Sequence, residues 1–189
     1  MGLHAAAPVA ALGRRSAAYV VDSLIVGIAY VALAVFFNAI FGRLVEATPD
    51  GTALVVVAVS PLRVILELTA TLVIDALYFA GCWSRWGATP AQRALRLRVR
   101  MADGTPPRSD APDVLPIEAA WRRWTVLAIF PIAVGSLAAS GALDIGVLAV
   151  VNGTWFLALF ISAVADPLRR GFHDRVAGTV VVSAPDGRA

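Results

Sequence analysis

Four long apolar stretches dominate the pattern of hydrophobic and polar positions along the chain. They cover residues 16–41, 61–83, 124–141 and 145–165. A helix of about 20 residues crosses the roughly 30 Å hydrocarbon core of a bilayer, because each residue advances the helix by about 1.5 Å. The pattern therefore predicts an all-α membrane protein, a bundle of four transmembrane helices of which the third is the shortest.

The start of the second crossing has two interpretations. The apolar segment GTALVVVAVS, residues 51–60, precedes Pro61, so the crossing begins either at Pro61 or as early as Ala53. Proline is favoured in the first turn of a helix and kinks a helix interior. Pro61 accordingly either opens this helix or bends it.

Shorter segments flank the predicted crossings. Residues 1–12 are Ala-rich and predict a flexible lead, residues 13–183 form the transmembrane domain, and residues 184–189 form a tail. A loop of residues 84–123 joins the second and third crossings. A cleaved secretory signal is disfavoured, because the apolar run after Arg15 is too long for a signal core and Asp22 interrupts it.

Two short segments have the period of β-strands. In LRLRVRM, residues 95–101, apolar residues alternate with arginines, and the turn sequence ADGTPP follows. Such alternation is typical of a half-buried strand. The other β-like run is GTVVVS, residues 178–183. We predict that the two segments pair as a small sheet on the cytoplasmic side of the bundle.

The arginines predict the orientation. All 16 basic residues are arginines, and they cluster before the first crossing, in the middle loop and after the fourth crossing. Because basic residues are retained on the cytoplasmic side, both termini and the middle loop are expected in the cytoplasm. The chain is 59% hydrophobic and 15% charged, as expected for a multi-pass protein of the cell membrane.

The arginine row of the middle loop has two candidate partners, nucleic acid and anionic lipid headgroups. The alternation with apolar residues beside a bilayer favours lipid headgroups, which contribute about 1 kcal/mol per arginine near the surface. No nucleic-acid partner is expected. Four tryptophans bracket the loop and are interpreted as interfacial anchors: Trp83, Trp86, Trp121 and Trp124.

Three separated pieces of sequence carry a family resemblance: RRSAAYVVD, WGATPAQRALRLRVRMADG and RRGFHDRVAGTVVV. In this order, over residues 13–182, they resemble the RDD family of small prokaryotic membrane proteins, named for one arginine and two aspartates. By position, the family arginine is Arg15 and the two aspartates are Asp22 and Asp174.

The middle piece departs from the family pattern. Ala91 and Gln92 stand where the family usually has Gly-Lys. Any binding role that the Gly-Lys step has in relatives is therefore not expected here. For function, the resemblance implies a membrane protein of a family in which transport, including cation/proton exchange, has been proposed for some members.

Polar residues on the first two crossings are the candidate ion pathway. Arg15, Tyr19 and Asp22 share one face of the first helix, since they are spaced by four and three residues. The second helix carries a stripe with a spacing of four: Arg63, Glu67, Thr71 and Asp75. If the two helices are antiparallel, Asp75 comes level with Asp22, and the two carboxylates could share a proton or hold a cation.

The same charges have a structural interpretation, which stays open. Arg63 would pair with Glu67, and Arg15 with an acid across the bundle, Asp22 being one candidate. Intramembrane acids are costly and are functional by default, so Asp22, Glu67 and Asp75 form the candidate proton or ion pathway. Arg63 and Thr71 would support it.

The HDR motif also has two interpretations. In the first interpretation, His173 titrates near neutral pH as a cytoplasmic sensor. Alternatively, Asp174 and Arg175 cap the segment after the last crossing and pin it against the basic loop. The spacing of His, Cys and acidic residues suggests no metal site, and no phosphate-binding glycine loop is present. We therefore expect neither a metal nor a cofactor nor an enzymatic activity.

Two functions lead for the chain, ahead of a membrane-embedded enzyme. The first is a small transporter or cation/proton exchanger that uses the intramembrane carboxylates. The second is a non-transporting membrane scaffold or accessory subunit in which the charges are structural. Four short helices make a small bundle, so a homo-oligomer or another membrane partner is expected in either case.

Overall fold

The computed structural model describes residues 8–42, 45–47, 54–56, 60–103, 114–139 and 145–184. Four long helices account for most of these residues. In chain order the elements are α1 Leu12–Phe41, β1 Val45–Ala47, β2 Leu54–Val56, α2 Pro61–Trp86, α3 Pro90–Ala94, β3 Leu97–Met101, α4 Ile117–Ala139, α5 Ile145–Ala165, α6 Phe172–Ala177 and β4 Thr179–Ser183.

Three helices, α1, α2 and α5, are long and apolar enough to cross a membrane. The predicted third crossing is the helix α4, which begins seven residues earlier than expected, at Ile117 rather than 124. Its first two turns carry Glu118, Arg122 and Arg123, and its described part is not among the three apolar helices. The chain is a helical membrane protein, and a fourth crossing stays a prediction.

Helices α1 and α2 are antiparallel neighbours. Near one end of the pair the Tyr78 hydroxyl donates to Asp22 at 2.6 Å, and near the other the Arg63 guanidinium donates to Asn38 at 2.6 Å. The first end, where α2 stops and α3, α6 and β3–β4 gather, is named the arginine-rich end. The predicted level position of Asp22 and Asp75 in the membrane required this antiparallel packing.

Pro61 opens α2 at its first turn, so the alternative start at Ala53 is wrong. Residues 54–56 instead form β2, which pairs with β1 in a short antiparallel hairpin. This hairpin was not predicted, because β2 lies within the continuous apolar run of residues 53–59, in which no period separates strand from helix.

The predicted strand pair is confirmed. β3 and β4 are antiparallel, with Leu97 opposite Ser183 and Val99 opposite Val181. Leu97 and Val99 are fully buried whereas the intervening Arg98 is half-buried, which is the alternation that predicted the strand. The sheet packs its apolar face on the helices at the arginine-rich end, since these residues belong to the same core as Trp83.

The predicted flexible lead differs from the structure at residues 8–10. Val9 bridges to Val182 of β4, and the Ala10 amide donates to the Val181 carbonyl at 3.0 Å. α1 then begins at Leu12, four residues before the predicted start. Residues 1–7 of the lead, 140–141 of the third crossing and 185–189 of the tail lie outside the described residues.

Candidate functional site

Asp22, the first family aspartate, is buried and surrounded by neutral hydrogen-bond donors. Its Oδ1 accepts from the Tyr78 hydroxyl at 2.6 Å and from the Ala91 amide at 3.3 Å, and its Oδ2 accepts from the Thr89 hydroxyl at 2.5 Å. The carboxylate thus ties α1 to α2 and to the turn before α3. A buried polar group that is satisfied in this way stabilises one arrangement of the segments it joins.

The turn that Asp22 binds is built by local sequence. Gly87 ends α2 in the left-handed conformation, φ +67°, which glycine adopts without steric cost. Thr89 caps α3 with Pro90 in the first turn. Gln92 completes the capping box and accepts from the Trp83 indole at 3.1 Å. Gln92, which departs from the family pattern, therefore has a structural contact here.

Asp174, the second family aspartate, binds two arginines. Its Oδ2 accepts from Arg15 at 2.5 Å and its Oδ1 accepts from Arg123. The Thr179 hydroxyl, at 3.2 Å, and the Gly171 amide, at 3.2 Å, complete the set. Arg15 thus pairs with Asp174, and the suggested pairing of Arg15 with Asp22 is wrong.

Arg123 was not predicted as a site residue. It is buried, donates to Asp174 and Thr179, and lies over the ring of Trp83 at 4.6 Å. The signal was its position in α4, one turn after the buried Ala119 and one turn before the buried Leu127. The neighbouring Arg122, about 100° around the helix from Arg123, is exposed.

The ionisation of the HDR motif follows from this cluster. Burial raises the pKa of Asp174, but Arg123 and Arg15 outweigh it and hold the pKa at about 2. Burial lowers the pKa of His173 to about 4; the neighbouring Asp174 carboxylate opposes this shift, and the two arginines add to it. His173 is therefore neutral near pH 7, which argues against the sensor interpretation.

The capping interpretation of the HDR motif fits Asp174. The carboxylate accepts from the Gly171 amide at the start of α6 and binds Arg123 at the end of the predicted loop 84–123. Arg175 is exposed and lies 6.0 Å from the ring of Phe172. The cap and the pin are thus provided by Asp174, with no contribution from Arg175 among these contacts.

A cavity of about 380 Å³ lies among α1, α2, α4 and α5 and is named the central cavity. Its α2 wall is the stripe that the sequence predicted, with Glu67, Thr71 and Asp75 on the lining. Its α1 wall adds further polar groups from Tyr19, Ser23 and Tyr30. The remaining walls are apolar, so the polar groups of the cavity are concentrated on two helices.

Asp75 is the acid of the stripe that lies nearer the arginine-rich end. Only 6% of it is exposed, and it accepts from the Tyr30 hydroxyl at 2.8 Å and from the Trp124 indole at 2.8 Å. Asp75 and Asp22 share no hydrogen-bond donor and line different cavities. The two carboxylates thus belong to separate networks, which gives no support to a proton shared between them.

The other end of the stripe is held by an ion pair. Arg63 is buried and its Nε lies 3.3 Å from Glu67 Oε2, as the sequence predicted. Arg63 also donates to Asn38 and to the Gly42 carbonyl, so it joins the ends of α1 and α2. The Glu67 side chain is 27% exposed and borders the central cavity.

Two of the four tryptophans differ from their predicted role. Trp83 and Trp124 are buried and donate to Gln92 and Asp75, so the interfacial interpretation is wrong for them. Trp86 and Trp121 are exposed at 46% and 45%, which agrees with interfacial anchors. Among the described residues, no group of three His, Cys, Asp or Glu side chains is placed to hold a metal ion.

Comparison with known proteins gives one match. The sequence model of the RDD family matches residues 9–178. No curated protein and no solved structure matches the chain. The matched region includes Arg15, Asp22 and Asp174 and both walls of the central cavity that carry polar groups.

Proposed function

The chain belongs to the RDD family, and from this premise we propose that it is a small membrane transporter that exchanges protons for a small cation. The central cavity is the exchange site in this proposal. Asp75 is the carboxylate that binds the proton or the cation, and Glu67 is the second acid of the pathway. Asp22 keeps a positioning role.

The observation that carries the proposal is the environment of Asp75. Tyr30 and Trp124 are neutral donors, and among the described residues no cation pairs with this carboxylate. An acid inside a membrane bundle without a positive partner either holds a proton or attracts a cation. Because Asp75 lines a cavity large enough for water, both species have room beside it.

Glu67 is a second binding site for the same ion in this proposal. It borders the same cavity about two helical turns from Asp75, and it forms an ion pair with Arg63. The ion pair compensates the charge of the Glu67 carboxylate, whereas Asp75 has no cationic partner among the described residues. An ion or proton moving between the two acids would thus pass from a charge-compensated site to an uncompensated one.

The orientation and the surface partners are part of the proposal. The distribution of arginines supports both termini and the middle loop in the cytoplasm, with the protein in the cell membrane. The half-buried Arg98 and Arg100 of β3 would then face anionic lipid headgroups. A homo-oligomer or another membrane protein would complete the apolar outer surface.

The experiment is ion-driven proton flux in vesicles that hold only this protein and an internal pH indicator. A sodium or a potassium gradient should drive proton movement with the native chain, and Asp75→Asn should abolish it. Glu118→Gln removes an exposed acid at the start of α4 and should leave the flux unchanged. Failure of both cations to drive flux, or native flux in Asp75→Asn, would contradict the proposal.

A scaffold or accessory subunit is the second candidate. It is favoured by the three hydrogen bonds that hold Asp22 and by the largely buried ion pair between Arg15 and Asp174, both of which join separate segments of the chain. In that case no gradient would drive protons through the vesicles. The protein would instead be recovered with a stable partner from native membranes.

A further inference from the structure

The central cavity has more room than a sodium or potassium ion needs. Its volume of about 380 Å³ lies within the roughly 300–1,000 Å³ of cavities that hold small organic ligands, whereas a water molecule takes about 30 Å³. A bare metal ion is held by several converging ligands, and among the described residues no three acidic, histidine or cysteine side chains form such a group. The space beside Asp75 therefore also suits a larger cation.

The charges on the lining of the central cavity favour a single positive charge. Glu67 and Asp75 are its two acids, and no basic residue of the described chain belongs to the lining. Arg63 pairs with Glu67 at 3.3 Å. The side chains that donate to Asp75, Tyr30 and Trp124, are neutral. When both acids are ionised, one negative charge stays uncompensated, and a monovalent cation beside Asp75 balances it.

Aromatic side chains line the end of the central cavity that holds Asp75. Tyr19, Phe79 and Phe156 also line a second cavity, of about 220 Å³, at the arginine-rich end, so they lie at the boundary between the two cavities. Asp75 is the acid nearer that boundary, and Phe79 follows it by one turn of α2. The Tyr30 hydroxyl reaches Asp75 from α1. Aromatic residues of three helices thus line the same part of the cavity as the carboxylate.

A carboxylate beside aromatic and apolar walls has the chemistry that binds an organic ammonium ion. Aromatic rings attract cations over their faces, and quaternary ammonium ions are the ligands for which proteins commonly use this attraction. The remaining lining is mostly apolar, with Val26, Leu68 and Ile132 among its members. Such walls accept methyl groups readily but cannot replace the water shell of a metal ion.

We propose that the central cavity binds a small methylated ammonium ion, with its charge beside Asp75 and its methyl groups against the aromatic side chains. This inference rests on the proposed function, and it extends the exchanged cation from alkali metal ions to this organic class.

The first test measures binding to the purified full-length chain in detergent by isothermal titration. The probes are choline and its uncharged isostere 3,3-dimethylbutan-1-ol, in which carbon replaces the nitrogen. We expect choline to bind at least about tenfold more tightly than the isostere, and Asp75→Asn to remove this preference. Equal binding of the two compounds to the native chain would show that only the apolar walls act, and would overturn the proposal.

The matched variants are Phe79→Leu and Phe37→Leu. Both phenylalanines are 6% exposed, but of the two only Phe79 lines the central cavity. Leucine keeps an apolar side chain and removes the ring, so Phe79→Leu should weaken choline binding about fivefold, whereas Phe37→Leu should leave it unchanged. Equal loss in both variants, or native affinity in both, would overturn the aromatic site.

Vesicle flux distinguishes a failure of this inference from a failure of the proposed function. Choline on the same side as the alkali cation should compete with it and lower the proton flux, and Phe79→Leu should need about fivefold more choline for the same inhibition. Flux that choline does not change, with no binding in the titration, would refute the organic cation and leave metal-ion exchange standing. Choline binding in a chain without any flux would refute exchange and leave the binding site standing.

Discussion

The arginine-rich end and the central cavity both bury aspartates, but they surround them differently. At the arginine-rich end, Asp174 has two arginines and two neutral donors, and Asp22 has three neutral donors from two other segments. In the central cavity, Asp75 has two neutral donors and open space beside it.

This difference distinguishes acids that hold the fold together from acids that can bind and release an ion or a proton. An acid that binds three or four protein donors holds segments together, and an ion or a proton that binds it must compete with those hydrogen bonds. An acid with few donors beside a cavity can bind an ion at little cost to the fold. Three buried aspartates in one small bundle thus need not share one role.

The largest effect on stability is expected at Asp174. Asp174→Asn leaves Arg15 and Arg123 without their carboxylate, and breaking a buried ion pair in this way typically costs about 3–5 kcal/mol. We expect a strongly lowered midpoint in detergent unfolding, or failure to recover folded protein. Arg122→Gln, which changes the exposed neighbour of Arg123, is the control and should behave as the native chain. If Asp174→Asn unfolded at the native midpoint, Asp174 would not stabilise the fold, and the proposed difference between the arginine-rich end and the central cavity would be wrong.

The next effect is on the pH dependence of stability. The pKa of His173 is lowered to about 4 in the folded chain from about 6.5 when unfolded, so the unfolded state binds the proton first. Stability should therefore fall as the pH drops from about 6.5 towards 4. Asp174, with a folded pKa of about 2, should add a further loss as the pH falls below about 4.

His173→Gln isolates the first part of this loss. The variant should unfold with the same midpoint as the native chain near pH 7, and should lose less stability between pH 7 and about 5. Melting curves at several pH values measure both. The exposed Arg175→Gln is the control and should keep the native pH profile. An unchanged profile in His173→Gln would show that the cluster does not hold the imidazole neutral.

Asp22 should have an intermediate effect. Asp22→Leu removes the acceptor for Tyr78, Thr89 and Ala91. Because the two hydroxyls can rotate towards other acceptors, we expect a total loss of about 1–3 kcal/mol, which is the cost of one buried donor left unpaired. Asp22→Asn keeps one acceptor oxygen and should be milder. Unfolding midpoints measure both variants. A midpoint that is unchanged in Asp22→Leu, with the proton flux lost, would move Asp22 into the exchange site.

Asp75→Asn should have the smallest effect on stability. Asparagine keeps the acceptor for one of the donors Tyr30 and Trp124, and the cavity can supply water to the other, so we expect a loss of about 1 kcal/mol or less. Its midpoint should lie above those of Asp22→Leu and Asp174→Asn. A larger loss at Asp75 than at Asp22 would reverse the comparison and favour the scaffold.

Part of the fold and of the candidate site is predictable because it is local. The spacing of Glu67, Thr71 and Asp75 placed them on one helix face, and they line one cavity. The hairpin of β1 and β2 was not predictable in the same way, since its strands have three residues each. The roles of Trp83 and Trp124 were missed because burial of a tryptophan depends on what packs against it.

The sequence by itself determined the long apolar helices, the membrane setting, the β3–β4 pair and the family. Hydrophobic periods and short motifs, each spanning neighbouring residues, predict these features. Only the tertiary structure decided which buried charge meets which partner. Arg15 and Asp174 are separated by 159 positions, and their pairing excludes Asp22 from the role that spacing on α1 suggested. A contact of that kind depends on how the helices pack, which no local pattern records.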